Sequence, residues 1–257
     1  PNGPYFWTPQ GFDAKGAVEE LRKQMRASPK SVFLVGLSVN PYPEFAEEHP
    51  NEVWIDKDGK PQYGRDCHLA SDGFDSASKD PKAWKGISMM SPLWREGARK
   101  CIGELIAELK RTGLSKRIVG FHISGFHDGQ FAPALYDYSV PARNGYRKFL
   151  ERKYGRPFPD AVPPDYRRYG TYGSGKDFFA EASDRDLVDF QEYMHKAPFE
   201  VQDDLALHVK RCFGKDVIVV KWCMGAFGGA RQSELDFTEF VNSKGIDILV
   251  ARDVRTH

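Results

Sequence analysis

The sequence predicts a parallel α/β fold, a (β/α)8 TIM barrel that is incomplete in this chain. Three observations predict it. Short, nearly all-apolar segments alternate with helical patterns, which is how strands covered by crossover helices read. Neither Gly-x-Gly-x-x-Gly after a strand nor Gly-x-x-x-x-Gly-Lys-Ser/Thr occurs, so nucleotide-binding open sheets lose their main signature. The elaborate, aromatic-rich loops, from Asn40 onward and over residues 124–138 and 225–231, all follow the carboxyl ends of predicted strands. Barrel enzymes place their chemistry at that end.

The elements follow in order. Residues 13–28 read as a helix: Asp13 can cap it, Ala17, Val18, Leu21 and Met25 keep helical spacing, and Pro29 stops it. Residues 31–39 are a strand, apolar almost throughout, the pattern of a parallel strand buried on both faces. A long irregular stretch runs to about residue 92, broken by Pro41, Pro43, Pro50, Pro61 and Pro81. A helix begins near Ser91; Trp94, Ala98, Cys101, Leu105 and Leu109 recur every three or four residues, and Gly113 ends it. Residues 117–124 form the second strong strand. A helix over about 141–154 carries Tyr146, Phe149 and Leu150 on one face, and residues 155–183 are a Pro/Gly/Tyr-rich loop. Residues 186–213 are a long helical pattern that Pro198 should bend or divide. A strand at 216–224, a helix at 234–243 and a strand at 247–251 complete the series.

Composition narrows the function. The 257 residues hold 37 Lys and Arg against 36 Asp and Glu, a net charge of +1. A nucleic-acid partner would need a concentrated basic excess, so none is expected. The longest apolar runs, such as Val32-Phe33-Leu34-Val35-Gly36-Leu37, fall far short of the ~20 residues of a membrane span. Cys67, Cys101, Cys212 and Cys223 are scattered without a Cys-x-x-Cys pair, so no zinc site is expected, and Cys101, Cys212 and Cys223, in helix- or strand-like segments, read as small buried thiols. The opening Pro1-Asn2-Gly3-Pro4, without Met, implies a processed, trimmed or excerpted chain.

A resemblance then emerges from particular residues. Phe45-Ala46-Glu47-Glu48-His49-Pro50 after a strand, followed by Trp54-Ile55-Asp56-Lys57-Asp58-Gly59, resembles the third βα loop of family 42 β-galactosidases and related clan A glycosidases. Ser91-Pro92-Leu93-Trp94-Arg95 is similar to the start of the helix after that loop, and Ile118-Val119-Gly120-Phe121-His122-Ile123 to their fourth strand. Asp137-Tyr138-Ser139 with Tyr146-Arg147-Lys148-Phe149-Leu150, and Asp189-Phe190-Gln191-Glu192-Tyr193, resemble the two following helix starts. The similarity runs in register over roughly residues 30–250. It implies one glycosidase-type barrel domain over 1–257, part of a longer catalytic domain, acting on a β-linked sugar in an exo, retaining manner. It also leans towards a periplasmic or secreted location, which the residues themselves leave open.

Such a mechanism uses two Glu residues ~5 Å apart, one after the fourth strand as acid/base and one after the seventh as nucleophile. Both positions depart from the pattern. The fourth strand runs into Ser124-Gly125-Phe126-His127-Asp128-Gly129-Gln130-Phe131, and Gln130 stands where relatives have the acid/base Glu. A Gln amide has no proton to give at working pH. Gln130 is either an engineered Glu→Gln change or a natural loss, and Asp128 is the carboxylate in that loop able to substitute. Near the end, Asp253-Val254-Arg255-Thr256-His257 resembles the tail of the seventh-strand motif, which puts Ala251 at the nucleophile position and Arg252 and Asp253 beside it. Strand counting, however, makes the four clear strands the third to sixth, and both readings hold only with a deletion.

Further candidates carry two readings each. His122 is a barrel-lining or a sugar-contacting histidine. His127 faces the site or serves its loop, and Asp128 can make an Asx-turn before Gly129. Trp222 is a stacking platform for a pyranose or a core residue. Asn40 is a rim contact or a turn residue before Pro41. Tyr5 and Trp7 line a subsite or pack the terminus.

Three function classes follow: a glycoside hydrolase with a disabled position 130, a non-hydrolysing carbohydrate-binding barrel, and a different α/β enzyme using Asp128, His127 and Asp253. None requires a metal or organic cofactor. An incomplete barrel exposes apolar strand edges, so an oligomer or a completing chain segment is expected beside the carbohydrate.

Overall fold

The computed structural model describes residues 7–42, 44–64, 84–124, 126–127, 130–131, 136–165, 184–224 and 237–252. In chain order the elements are β1 (Trp7–Thr8), β2 (Gly11–Phe12), α1 (Ala14–Ala27), β3 (Phe33–Ser38), α2 (Phe45–Glu48), β4 (Tyr63–Gly64), β5 (Trp84–Lys85) and α3 (Pro92–Arg111). There follow β6 (Ile118–Ser124), β7 (Phe126–His127), β8 (Gln130–Phe131), α4 (Val140–Tyr154), α5 (Arg185–Phe213), β9 (Ile218–Met224), α6 (Phe237–Asn242) and β10 (Ile248–Arg252).

The central sheet has the order β10-β9-β6-β3 and every neighbouring pair is parallel. Each strand is laid beside the previous one in the same direction, with no reversal of order. A doubly wound sheet reverses at its switch point, whereas a barrel does not. The four described strands form an arc and do not close. No helix among the described residues is long and apolar enough to cross a membrane.

The helices start where the sequence places caps. The Asp13 carboxylate accepts the Gly16 N–H at 2.9 Å, and Ser91 Oγ accepts the Trp94 N–H at 3.0 Å with Pro92 in the first turn. Ser139 Oγ does the same for Ala142 at 3.3 Å. Gly155, at φ 67°, ends α4 in the left-handed region that favours glycine.

Val35, Leu37, Phe121, Ile123 and Val219 join Val18 and Met25 of α1, Trp94, Ile102, Ile106 and Leu109 of α3, and Leu205 and Val209 of α5 in the larger core. The strands are buried only in part on the second face, where their composition predicts full burial: Val220 is buried there. Leu34 is 49% exposed, Ile218 38% and Ile248 44%, all on the face turned away from the helices. Period-2 alternation decides this: Leu34 stands between Phe33 and Val35, which face the helices, and helices cover one side only among the described residues.

Two other expectations change. Pro198 does not divide the long helix; α5 is continuous over 29 residues. Its amino-terminal half packs Phe190, Tyr193, Met194 and Ala197 into a second, aromatic cluster, and its carboxyl half packs Phe199, Val201 and Leu205 into the larger core. Burial on both sides of Pro198 outweighs the one helical bond that proline removes. The irregular stretch 40–92 also contains a small antiparallel ladder. β4 pairs with β5, and bridges join Val53 to Ile87 and Ile55 to Pro61. Gly86 makes this possible, since a Cβ there would stand 3.0 Å from the Trp54 ring.

Candidate functional site

The carboxyl ends of β3, β6, β9 and β10 bring most of the candidate residues to one rim. One row of paired residues, Gly36, His122, Val220 and Ile248, crosses all four strands in register. Above it Ser38 pairs with Ser124, and Trp222 with Val250. Ala251 pairs with Cys223 and Arg252 with Met224, at the end of β10. The backbone thus sets Trp222, Ala251 and Arg252 at neighbouring register positions on one edge of the arc.

Beyond Ser124 the chain makes a hairpin. β7 and β8 pair antiparallel, with Phe126 opposite Phe131 and His127 opposite Gln130. β8 lies against β6 and β9, so position 130 is held at the carboxyl rim, over the middle of the arc. An Asp-Gly pair between two short β segments is the sequence signal for such a hairpin. Asp128 itself, with Tyr5 and Asp253, lies outside the described residues.

His122 projects from the face opposite the helices, and burial pushes its imidazole down to about 4. At neutral pH it is uncharged and exchanges hydrogen bonds rather than charge. Asn40, two residues past the end of β3, is buried. Trp7 is half-buried; its ring meets Tyr42 edge-on at 6.2 Å and Phe45 at 5.7 Å. It also covers Gly97, where a Cβ would come within 2.2 Å of the indole. These contacts fix the indole beside α2 and α3.

The loop after β3 is organised around that aromatic group. The Tyr42 hydroxyl donates to Glu48 Oε2, and burial, with the Glu48 carboxylate second, pushes the phenol up to about 12. His49 lies against Phe45 with ring centroids 4.5 Å apart. The Trp94 indole donates to the Val39 carbonyl at 2.8 Å, which anchors the end of β3 to α3.

Sequence reasoning missed the buried polar centre between the long loop and the start of α4. Ser88 Oγ donates to Asp137 Oδ2 at 2.5 Å, with both residues almost fully buried. Asp137 Oδ1 accepts the Ser139 N–H at 2.8 Å, and Ser88 Oγ accepts the Met90 N–H at 3.1 Å. Burial pushes the Asp137 carboxyl up to about 6, against the opposing pull of Ser88, Ser139 and Arg143. The sequence signal was present: an Asp two residues before the serine cap of α4 can accept that serine's backbone N–H. Its partner lies 49 residues away, a distance no local pattern spans. No group of three or more His, Cys, Asp or Glu able to hold a metal ion occurs among the described residues.

Comparison with known proteins establishes the fold. No family model and no curated protein matches the chain. Among solved structures it is similar to the β-galactosidase from the psychrophilic Marinomonas ef1, with a TM-score of 0.65 and 16% identity over 98% of this chain. It is also similar to the catalytic domain of β-amylase from Paenibacillus polymyxa, with a TM-score of 0.53 and 14% identity over 92% of this chain. Both are TIM-barrel glycosidases, and the chain spans 35% and 64% of their respective lengths. At such identities the likeness is one of fold.

Proposed function

We propose that this chain forms the third to sixth strand units of a family 42-like glycosidase barrel. In this reading it receives a β-linked sugar at the carboxyl rim, and position 130 is the acid/base position of a retaining, exo-acting site. The observation that carries the reading is the hairpin that holds Gln130 opposite His127 at the rim, beside β6 and β9. A general acid must reach a glycosidic oxygen from one side of the cleft, and a short hairpin anchored on a core strand provides such a mount.

The chemistry at position 130 is limited by its amide. Gln can hydrogen-bond a glycosidic oxygen but cannot protonate it. With β6 as the fourth strand, β10 is the sixth, so Ala251 stands one strand short of the nucleophile position. His122, neutral and on the sugar-side face, and Asn40, Trp7, Trp222, His127 and Arg252 are then the contacts to test, with Asp128 and Asp253 as the neighbouring carboxylates. The same Gln130 favours a second reading, a barrel that binds carbohydrate without cleaving it.

A Gln130→Glu variant of the intact protein separates them. Turnover of an aryl β-galactoside that is absent from the unchanged protein supports a disabled hydrolase. Calorimetric binding of galactose or a galactoside without turnover in that variant supports the binding barrel. Failure of both proteins to bind any sugar overturns the proposal.

A further inference from the structure

The hairpin that carries position 130 enters from β6, which the central sheet fixes. Residues 136–139, a short way after it, are fixed differently. Only residues 132–136 separate β8 from Asp137, and the segment 136–139 is tied to the long loop between β3 and β6 by three bonds. The Trp54 indole donates to the Tyr136 carbonyl at 3.0 Å, the Tyr138 N–H donates to the Ile55 carbonyl at 3.0 Å, and Ser88 Oγ donates to Asp137 at 2.5 Å. Ser88 is three residues before the Ser91 cap of α3, and Asp137 is two before the Ser139 cap of α4. The pair therefore sets the spacing of two helix starts as well as the place of residues 136–138.

We infer that Asp137, with Ser88 as its partner, is the positioning residue of the hairpin that holds position 130. This deepens the glycosidase reading and rests on it for its consequence in catalysis, though not for its geometry. Asp137 is too buried to touch a sugar. It acts by holding residues 136–138, a few residues after β8, against the ladder formed by residues 53–64 and 84–87, so that position 130 keeps one place over the cleft.

Local opening of this latch exposes the Asp137 carboxyl to water, where it returns towards its ordinary value. The groups that face it are Ser88 from the long loop, Ser139 and Arg143 from α4 and its cap, and Tyr193 from α5. Because the closed form holds the proton more tightly, opening becomes easier as pH rises from about 4 to about 6 and levels off above that.

Hydrogen–deuterium exchange of the intact protein, corrected for intrinsic rates and followed from pH 4 to 8, tests this. The expected result is an opening constant for residues 126–138 that rises with pH to about 6, by up to about a hundredfold. Asp137→Asn flattens that profile. Ser88→Ala raises exchange in residues 126–138 at least tenfold at pH 7, and Ser88→Thr, which keeps the hydroxyl, restores it. A flat wild-type profile, or a Ser88→Ala effect spread equally over β3, α3 and α5, overturns the inference. In a Gln130→Glu background that turns over substrate, Ser88→Ala lowers kcat about tenfold with KM unchanged. The exchange signature without any sugar binding removes the glycosidase reading and leaves the positioning role; sugar binding without the signature removes the positioning role alone.

Discussion

The two apolar clusters of this molecule are built from different materials. The larger one is mostly aliphatic and lies mainly between regular elements, strands β3, β6 and β9 against helices α1, α3 and α5, with Val53, Ile87 and Met89 of the long loop at its margin. The smaller one gathers Tyr138, Tyr146, Phe149, Phe190 and Tyr193, and its rings touch one another at 5.4 to 6.5 Å. Every tyrosine in it spends its hydroxyl on a backbone carbonyl: Tyr138 on Pro164 at 2.7 Å, Tyr146 on Asp186 at 3.3 Å and Tyr193 on Ala142 at 3.0 Å. The first cluster covers one face of a sheet. The second fastens loops, because an aromatic ring brings apolar area and a polar tip to the same place. One of the segments it fastens, residues 136–139, follows the β7–β8 hairpin in the chain.

Phe121 and Phe190, both fully buried, test whether the clusters are separate units. Truncation of either to Ala costs about 3–5 kcal/mol. Phe121→Ala is expected to lower the urea midpoint of the whole molecule. Phe190→Ala is expected to expose α4 and residues 136–139 to hydrogen exchange first, with β3 and β6 still protected. Loss of protection in the same segments in both variants would show one cooperative unit instead and break the comparison.

The pH dependence of stability sets one cluster against the other in a second way. Asp137, beside the aromatic cluster, has its carboxyl raised from 3.8 to about 6 in the folded state. The unfolded chain gives up that proton first, so stability falls as pH rises from about 4 to 6, by about 3 kcal/mol in all. His122, on the central sheet, is lowered from 6.5 to about 4. The unfolded chain takes up that proton first, so its contribution rises over nearly the same window. The two slopes oppose each other. In urea titrations from pH 4 to 7, Asp137→Asn should leave a rising slope and His122→Gln a falling one; unchanged slopes in both variants would remove the assignment.

Much of the sheet was legible in the sequence for the same reason that the aliphatic cluster is. Segments such as Ile118-Val119-Gly120-Phe121-His122-Ile123 carry their strand pattern locally, and the caps Asp13 and Ser91 stand beside the helices they start. What was not legible depends on long range. The exposure of Leu34 follows from which side the helices cover, and the continuity of α5 through Pro198 follows from packing on both of its halves. At the candidate site, the hairpin register that pairs Gln130 with His127 could be anticipated from Asp128-Gly129. The Ser88–Asp137 pair could not, since neither residue lies in a pattern that announces a partner.

Two close approaches sharpen the contrast at a smaller scale. A Cβ on Gly145 would stand 2.2 Å from Tyr193 Oη, in the aromatic cluster, and one on Gly245 would stand 2.6 Å from the Asp203 carbonyl oxygen beside α5. Each Gly→Ala change is expected to cost about 1–3 kcal/mol. Only the first is relieved by a side-chain change. Tyr193→Phe alone loses one hydrogen bond, about 1 kcal/mol, but removes the atom that the new methyl meets. The double variant should therefore cost less than the sum of the singles; additivity within about 0.3 kcal/mol would mean that Gly145 is limited by something other than Tyr193.

The smallest expected effect lies at the opposite extreme from the buried latch. Asp13 is exposed and caps α1 through one bond to Gly16 at 2.9 Å, with no acidic residue in the first turn to share the role. Asp13→Ala should lower stability by about 1 kcal/mol, with the slope of the urea transition unchanged. Asp13→Asn keeps the acceptor and removes the charge. If it restores most of the loss, the cap acts by accepting the orphan N–H; if it restores little, attraction of the carboxylate to the helix amino terminus is the larger part. That distinction separates Asp13 from Asp137. For the exposed cap, water screens the charge and the bond geometry is what remains, whereas for the buried carboxyl the ionisation itself is the largest effect.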